Sequence, residues 1–245
     1  MLSLQNCDSN CSFCNTESKG SGAIVLTFDD KYISDWLEAD SIFSIYNWQA
    51  TFGVTKYWKL NNTDIEKLKH LQFGGHEIAS HGYNHIRSTE YLNNNKIEDY
   101  LNEEILPSLN DMRNDGFDIS SFVYPYGERS VETDLTLFEY FLVLRGTTGE
   151  QIAQKYFVTQ SDENMLVFGL GIDNHYVHFT ISYILDLLKQ ANHENFALVL
   201  YGHKIADDDT SKYVTSYNTL HKICSFVEQN NMEFLTLREL VNYNQ

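Results

Sequence analysis

The sequence is short of positive charge, with 17 lysines and arginines against 34 aspartates and glutamates and a formal net charge of -17. Such an acidic surface repels phosphate groups, so neither a nucleic acid nor an anionic membrane surface is expected as a partner. Proline is also scarce, with 2 residues in 245, whereas 42% of the residues are hydrophobic. The chain is therefore long enough and apolar enough to bury the core of one large α/β domain.

Long hydrophobic runs are absent as well, and none approaches the length that a membrane-spanning helix needs. The residues before Cys7 lack the basic region and the long apolar stretch of an export signal. These absences predict no transmembrane segment and, by default, a cytoplasmic location.

Cysteine is rare, and three of the 4 cysteines lie close to the N-terminus, at Cys7, Cys11 and Cys14. The cluster does not resemble the disulfide framework of a small secreted domain, in which the cysteines are spread along the chain. Its C-x-x-x-C-x-x-C spacing is similar to the iron–sulfur motif of radical S-adenosylmethionine enzymes, but the rest of the chain does not match that chemistry. A truncated leader, a zinc-scavenging tail and a lipid-anchored Cys7 are the alternatives. We expect an N-terminal cysteine-containing extension over 1–22 and one folded domain over 23–245.

From Ala23 onward, short β-branched and aromatic runs alternate with amphipathic stretches, which is the pattern of parallel strands joined by helices. Seven or eight such strands favour an α/β fold, a (β/α) barrel of TIM type that is distorted or incomplete, over an open doubly wound sheet. The predicted strands are 23–28, 49–54, 77–80, 121–124, 141–144, 165–169, 196–201 and 233–235. The predicted helices are 34–46, 63–71, 96–113, 180–191 and 213–229. In such barrels the chemistry gathers where the strands end.

Polar residues with catalytic potential follow three of the predicted strands. Asp29 and Asp30 come after the strand at 23–28, His81 and His85 after the strand at 77–80, and His203 after the strand at 196–201. Two histidines four residues apart and one carboxylate make a three-ligand set, which leaves positions on a metal open for water and substrate. The second aspartate can then accept a proton from water that the metal activates, and a distant histidine can protonate a leaving nitrogen.

Each of these features also has an ordinary structural explanation. Two aspartates after a strand often cap a helix, and a pair of histidines at i and i+4 arises readily by chance. The sequence Pro125-Tyr126-Gly127, which follows the strand at 121–124, is by itself only a turn. These three features and His203, in this order and each after a predicted strand, are together much harder to obtain by accident.

The same residues resemble the motifs of the polysaccharide deacetylase, or NodB-homology, family of carbohydrate esterases. Thr27-Phe28-Asp29-Asp30 resembles the first motif of the family, and the run from Gly75 to His85 is similar to the second. The resemblance implies that Asp29 is the general base and that Asp30, His81 and His85 hold the metal.

Two further motifs of the family have counterparts later in the chain. Tyr124-Pro125-Tyr126-Gly127 resembles the third motif, which implies that the backbone N–H of Tyr126 helps to hold the oxyanion. The run from Leu198 to His203 is similar to the fifth motif, which implies that His203 is the general acid. The resemblance covers the chain from about Ala23 to the C-terminus, so the domain over 23–245 is the expected catalytic domain.

Four positions depart from the family pattern. Lys31 stands where the first motif usually has glycine, and Gly82 stands where the second motif usually has a serine or threonine hydroxyl. The arginine that usually precedes the third motif and pairs with the base is missing, and Arg145 is our candidate replacement. The fourth motif, an aspartate that orients the acid histidine, is not clear, and Asp173 is the best candidate.

The resemblance implies a hydrolase that uses a divalent metal, with Zn²⁺ favoured, to remove an N-acyl group, in the first place acetyl, from an amino sugar. The expected substrate is an N-acylated carbohydrate, in a polysaccharide or a glycan precursor, and most of the family works outside the cytoplasm. Three alternatives stay open: a non-catalytic carbohydrate-binding relative, a hydrolase of non-sugar amides, and an iron enzyme, since two histidines and a carboxylate also suit ferrous iron. Aromatic residues near the motifs are candidates for stacking on sugar rings, namely Trp36, Trp48, Trp58, Tyr83 and Tyr126.

Overall fold

The structure is a computed structural model that describes residues 22–148, 155–207 and 211–243. The cysteine cluster of the predicted N-terminal extension lies outside the described residues. The strands are β1 (Ala23–Asp30), β2 (Thr51–Val54), β3 (Glu77–Ser80), β4 (Ser121–Val123), β5 (Val143–Thr148), β6 (Phe157–Val158), β7 (Met165–Gly171), β8 (Ala197–Gly202), β9 (Lys204–Ile205), β10 (Val214–Thr215) and β11 (Glu233–Leu235). The α-helices are α1 (Ile33–Phe43), α2 (Asn62–Phe73), α3 (Ser88–Leu92), α4 (Ile97–Tyr100), α5 (Leu106–Asn114), α6 (Val131–Leu137), α7 (Ile181–Glu194) and α8 (Tyr217–Gln229).

Seven parallel strands close into a barrel. Strands β1, β2, β3, β4, β5, β7 and β8 pair in that order, and β8 pairs again with β1 along Ala23 to Phe28. Strand β11 pairs with the start of β1, the short β6 lies antiparallel to β8, and β9 and β10 pair only with each other. The predicted (β/α) barrel is confirmed, with seven strands rather than eight in the closed ring.

The alternation of side chains along the strands divides the core into two parts. In β1, Ala23 and Val25 belong to one hydrophobic cluster, whereas Ile24 and Leu26 belong to another. The cluster of Ala23 and Val25 is made largely of small and β-branched strand residues and fills the barrel, and the other packs the strands against the helices. Because side chains alternate between the two faces of a strand, Asp29 continues the inward row of β1. The same alternation in β5 directs Arg145 inward, between the outward positions on either side.

The ends of several predicted elements are wrong. Strand β5 runs to Thr148, so Arg145 lies inside a strand and not after one, because a buried charge interrupts the apolar run that the sequence pattern follows. The helix predicted over 213–229 begins at Tyr217, and the preceding residues contain β10 instead. The helix predicted over 96–113 is divided by a π-helical turn at Leu101–Ile105. Helices α3 and α6 were not predicted, because each is short and buries few apolar side chains.

No helix in the described parts of the chain has the length and apolar character needed to cross a membrane.

Candidate active site

Asp30, His81 and His85 bring three metal-ligating side chains together at the carboxyl ends of the barrel strands. Asp30 is the last residue of β1, His81 directly follows β3, and His85 lies in the loop beyond it. The Nε2 atoms of the two histidines are 3.1 Å apart, and they lie 3.9 and 3.5 Å from Oδ1 of Asp30. One ligand atom from each residue therefore lies within 4.8 Å of the other two.

The spacing of these donor atoms fits a metal ion. Zinc bonds of about 2.0–2.1 Å at tetrahedral angles place neighbouring ligand atoms about 3.3 Å apart, close to the separations measured between the three residues. The Nδ1–H of His81 donates to the carbonyl of Val123 at 2.8 Å, which fixes the tautomer and leaves the lone pair of Nε2 directed at the cluster. The geometry and the chemistry of the donor set thus agree with a divalent cation.

Both histidines are in the protonation state that binds a metal. Burial lowers the pKa of His81 below its ordinary value. Burial is the main reason that the pKa of His85 is lowered to about 3. The two imidazoles are therefore neutral near neutral pH, and no proton has to leave them before a cation binds.

The carboxylate of Asp29 lies beside this cluster and is held by a buried arginine. Nη2 of Arg145 lies 2.5 Å from both Oδ1 and Oδ2 of Asp29, and the side chain of Arg145 is fully buried. Burial raises the pKa of Asp29, but the charge and hydrogen bond of Arg145 and the charges of His81 and His203 together outweigh it, so the pKa lies below its ordinary value. Asp29 is consequently ionised at neutral pH and able to accept a proton.

His203 and Asp173 form a second pair across the site. Nδ1 of His203 donates to Oδ2 of Asp173 at 2.6 Å, and its backbone N–H donates to Oδ1 at 3.2 Å. The hydroxyl of Thr215 also donates to Oδ1 of Asp173, and the indole of Trp36 donates to the carbonyl of His203. Burial lowers the pKa of His203, but the hydrogen bond and charge of Asp173 and the charge of Asp29 outweigh it, so the pKa lies above its ordinary value. The imidazole therefore keeps its proton to a higher pH than an ordinary histidine does.

The Pro-Tyr-Gly turn begins two residues after β4 and carries Tyr126 to the mouth of the site. Tyr126 has a left-handed backbone with φ of 59°, and its ring is half exposed. The centroid of the Tyr126 ring lies 4.5 Å from that of His85. The guanidinium of Arg87 stacks on the Tyr126 ring, 3.6 Å from its centroid. The turn is therefore fixed against the metal-ligand loop.

Left-handed backbone is concentrated around this site. Of the eight described non-glycine residues with positive φ, five line the cavities at the metal cluster: Asp30, Lys56, His85, Tyr126 and Tyr213. Each such conformation costs on the order of 1–3 kcal/mol and persists only where the surrounding structure enforces it. The concentration marks this end of the barrel as the functional end.

One cavity of about 470 Å³ collects most of the predicted site residues, namely Asp29, Asp30, His81, His85, Tyr126 and His203. Arg145 and Asp173, the other two, are fully buried and each contacts one of those six. A second cavity of about 380 Å³ shares Asp30 and His85 with the first and is lined by Lys31 and Lys56. All eight predicted residues are therefore brought together at one end of the barrel.

Several lining residues were not predicted from the sequence. His175 and Tyr176 follow β7 and line the larger cavity, and their position just after a strand was a signal that could have identified them. Tyr213 lines the same cavity, but the amphipathic pattern of α8 had absorbed it into a predicted helix. Arg87 and Thr147 have no motif around them, and only the folded structure places them here.

Two of the aromatic candidates for sugar stacking are wrong. Trp36 is fully buried and Trp48 is 3% exposed, and both pack in the core against Phe52. Trp58 and Tyr126 are half exposed, and the Trp58 ring lies 6.1 Å from that of Tyr83. Trp58 and Tyr126 therefore keep accessible rings near the metal-ligand loop, and Tyr83 is partly buried beside Trp58.

Known structures share this fold. A chitin deacetylase from the fungal pathogen Colletotrichum lindemuthianum is 15% identical with a TM-score of 0.61, over 91% of this chain and 88% of that one. A peptidoglycan deacetylase from Bacillus subtilis is 15% identical with a TM-score of 0.55, over 92% of each chain. An acetyl xylan esterase from Clostridium thermocellum, solved in complex with a cobalt ion, is 18% identical with a TM-score of 0.55, over 90% of each chain. At these identities the similarity establishes the barrel fold.

No curated protein sequence matches the chain. The sequence profile of the polysaccharide deacetylase family, in contrast, matches residues 16–139, just over half of the chain and the part that contains the first three motifs. The family assignment made from those motifs is thereby confirmed: this chain belongs to the polysaccharide deacetylase family.

Proposed function

We propose that the protein is a metal-dependent hydrolase that removes an N-acyl group, acetyl in the first place, from an amino sugar of a polysaccharide or a glycan precursor. One observation carries the proposal. The Asp30–His81–His85 cluster lies in a single cavity with the carboxylate of Asp29 and the imidazole of His203. These are the groups that hydrolysis of an unactivated amide requires: a Lewis acid, a base and an acid.

Asp30, His81 and His85 would hold the ion, and Zn²⁺ is the favoured one because two imidazoles and a carboxylate leave a fourth position open. A divalent cation bound there lowers the pKa of water to about 7 and polarises a carbonyl oxygen. Each protein ligand is already positioned, since the Val123 carbonyl orients His81 and β1 ends at Asp30. The cobalt ion in the Clostridium thermocellum esterase is consistent with a divalent ion in relatives of this fold.

The protein groups divide the proton transfers between them. Asp29 accepts the proton of the attacking water, and Arg145 keeps that carboxylate ionised and oriented. The backbone N–H of Tyr126 helps to hold the oxyanion of the tetrahedral intermediate. His203 then donates its proton to the leaving nitrogen, and Asp173 keeps the imidazole protonated until that step. The product amine becomes a cation, which an acidic protein does not repel.

The alternative of a non-catalytic relative was motivated by a missing arginine and an unclear orienting aspartate. The contacts of Arg145 with Asp29 and of Asp173 with His203 supply partners for both the base and the acid. Burial of Arg145 beside Asp29 and of Asp173 beside His203 is costly, and carbohydrate binding alone does not require either pair. These two pairs therefore support the catalytic reading.

The proposal is tested by hydrolysis of N-acetylglucosamine oligomers after chelation and readdition of Zn²⁺, with released acetate and free amine measured separately. Equal amounts of acetate and amine from the wild type are expected. Asp29→Asn should lose about 10²–10⁴-fold in kcat, whereas Asp35→Asn, at a carboxylate in the first turn of α1, should not. O-acetylated xylan is assayed in parallel. Release of acetate from the xylan, with no acetate or amine from the N-acetylglucosamine oligomers, would contradict the N-acyl assignment. Zinc-loaded protein inactive on every acetylated sugar would contradict the hydrolase.

A further inference from the structure

Glu104 is a buried carboxylate behind the metal-ligand loop, and none of the proposed catalytic steps uses it. It lies in the π-helical turn Leu101–Ile105 between α4 and α5, and it is fully buried. A π-helical turn is uncommon and is found often at functional sites. Among the described residues, burial and hydrogen bonds from the loop at 84–86 are the largest influences on the pKa of Glu104, and no arginine or lysine is among them. Burial of an acid without a cation is costly, so its hydrogen bonds must carry its role.

Those hydrogen bonds come from the loop that carries the histidine ligands, chiefly from its backbone. Oε2 of Glu104 accepts the N–H of Asn84 at 2.7 Å, and Oε1 accepts the N–H of Ile86 at 2.8 Å. The backbone carbonyl of Glu104 accepts the N–H of Tyr83 at 3.0 Å. Glu104 therefore holds the loop on both sides of His85.

The loop needs such support because its conformation is unfavourable without it. His85 has a left-handed backbone with φ of 66°, which costs free energy for a residue that carries a Cβ. The amides of Asn84 and Ile86 flank this residue, and both are fixed by the same carboxylate. Release of either amide would let His85 relax away from His81.

The space for the carboxylate is provided by Gly82. A Cβ built on Gly82 would overlap Oε1 of Glu104 and lie 3.1 Å from its Cδ and 3.3 Å from Cγ of Pro125. Gly82 also has a φ of 81°, in the region that glycine adopts without cost. Gly82 and Glu104 are thus complementary: the residue after His81 has no side chain where the carboxylate approaches.

We infer that Glu104 is a positioning residue for the metal site, which holds the backbone from Tyr83 to Ile86 so that the Nε2 atoms of His81 and His85 converge. The inference rests on the proposed function, because it assigns to Glu104 a role in binding the metal. Glu104 acts through the loop: its carboxylate bonds to backbone N–H groups and does not line the cavity that contains the metal ligands.

The test is a titration of the metal-free protein with Co²⁺, followed by its visible absorption, with Zn²⁺ affinity obtained by competition. In Glu104→Gln, the amide NH₂ replaces one of the carboxylate oxygens and faces the backbone N–H of Asn84 or of Ile86. Both groups are donors, so that hydrogen bond is lost. We expect metal affinity to fall about 10- to 100-fold, which is typical when the groups that orient metal ligands are removed. The absorption band of bound Co²⁺ should shift as the ligand geometry changes.

Glu77→Gln is the matched control, since Glu77 is also a buried carboxylate that accepts several hydrogen bonds, but at the opposite end of β3 from His81. Glu77→Gln should lower stability and leave Co²⁺ affinity within about twofold of wild type, because the hydrogen-bond partners of Glu77 do not belong to the metal-ligand loop. If Glu104→Gln does not fold, Glu104→Asp keeps the charge and is too short to reach both amides, and the same fall is expected.

Two results would overturn the inference in distinguishable ways. Folded Glu104 variants that bind Co²⁺ as tightly as the wild type, with the same absorption band, would remove the positioning role and leave the proposed function intact. A wild-type protein that binds no Co²⁺ and no Zn²⁺ would contradict the proposed function itself, and the positioning role with it.

Discussion

The guanidinium of Arg145 lies against both carboxylate oxygens of Asp29, although the two residues are 116 positions apart in the sequence. The side-chain alternation in β1 and β5 directs both into the barrel. The Nε and Nη1 atoms of Arg145 are buried and have no hydrogen-bond partner among the described residues, so the hydrogen bonds of the guanidinium to Asp29 come from Nη2. Asp29 is therefore the principal partner of this cation, and the pair is the electrostatic centre of the site.

Replacement of Arg145 by methionine should change the acid side of the pH profile. Asp29 must be ionised to accept a proton, so activity appears as pH rises through its pKa. Without the charge and hydrogen bond of Arg145, the effect of burial is less opposed and the pKa of Asp29 rises, so the acid limb of kcat/KM should move to higher pH. The free energy of unfolding should fall by about 3–5 kcal/mol near neutral pH, because a buried charge loses its partner.

Arg129→Met is the control for that variant. Arg129 pairs with Asp134, away from the cavity, and its loss should lower stability without moving the acid limb. An Arg145→Met enzyme with an unchanged acid limb would show that Asp29 does not depend on this cation.

Replacement of Asp173 by asparagine should change the alkaline side of the profile. His203 acts while protonated, so activity is lost as pH rises through its pKa, which Asp173 keeps above the ordinary value. Asp173→Asn removes the charge and lowers that pKa, so the alkaline limb should move to lower pH. The fall in kcat should not exceed the contribution of general acid catalysis, about 10²–10⁴-fold. Asp186→Asn, at an exposed carboxylate on α7, is the control and should leave the alkaline limb unchanged. An unchanged alkaline limb in Asp173→Asn would contradict the role of Asp173 beside His203.

Replacement of Gly127 by alanine should impair catalysis through the turn that holds Tyr126. A Cβ at Gly127 would overlap the side chain of Thr147. Because the Cβ of Thr147 itself would be only 2.7 Å away, rotation of the threonine side chain would not remove the overlap. The φ of 70° adds about 1–2 kcal/mol of backbone strain for alanine. We expect kcat to fall by up to about 10²–10³-fold, the usual effect of losing one oxyanion donor, with little change in metal content.

Gly116→Ala separates backbone strain from the clash. Gly116 has a φ of 93°, but a Cβ there meets no atom within 4 Å. Gly116→Ala should lose only the stability that the backbone strain costs, less than Gly127→Ala loses, and should keep wild-type kcat. Equal kcat in both variants would mean that the geometry of the turn does not matter for the reaction.

The sequence predicted the barrel and the ligands because both are encoded locally. The apolar runs of the strands are contiguous, and the motif residues lie at the end of β1 and directly after β3 and β8. The rule that polar residues at strand ends form the site was therefore sufficient for Asp29, His81 and His203. Arg145 was identified by the same rule, although it lies inside β5. Its inward direction depends on pairing between strands that are distant in the sequence, which a single sequence does not reveal.

The supporting residues could not be predicted for the same reason. Glu104 lies in what the pattern indicates as an ordinary acidic helix, and only the π-helical turn and the nearby Gly82 give it a role. Tyr213 precedes an amphipathic helix and was absorbed into it, whereas its left-handed backbone places it at the cavity. Tertiary packing decides these positions, and local pattern does not.

The most direct test of the account is the metal content of three proteins, wild type, Asp29→Asn and Asp30→Ala, after equilibration with Zn²⁺ and removal of unbound ion. Thermal unfolding should first establish that each is folded. The account predicts one zinc per chain in the wild type and in Asp29→Asn, no zinc in Asp30→Ala, and turnover in the wild type alone. Full zinc content in a folded Asp30→Ala, or loss of zinc on replacement of Asp29 instead, would contradict the assignment of metal ligand and base to these adjacent carboxylates.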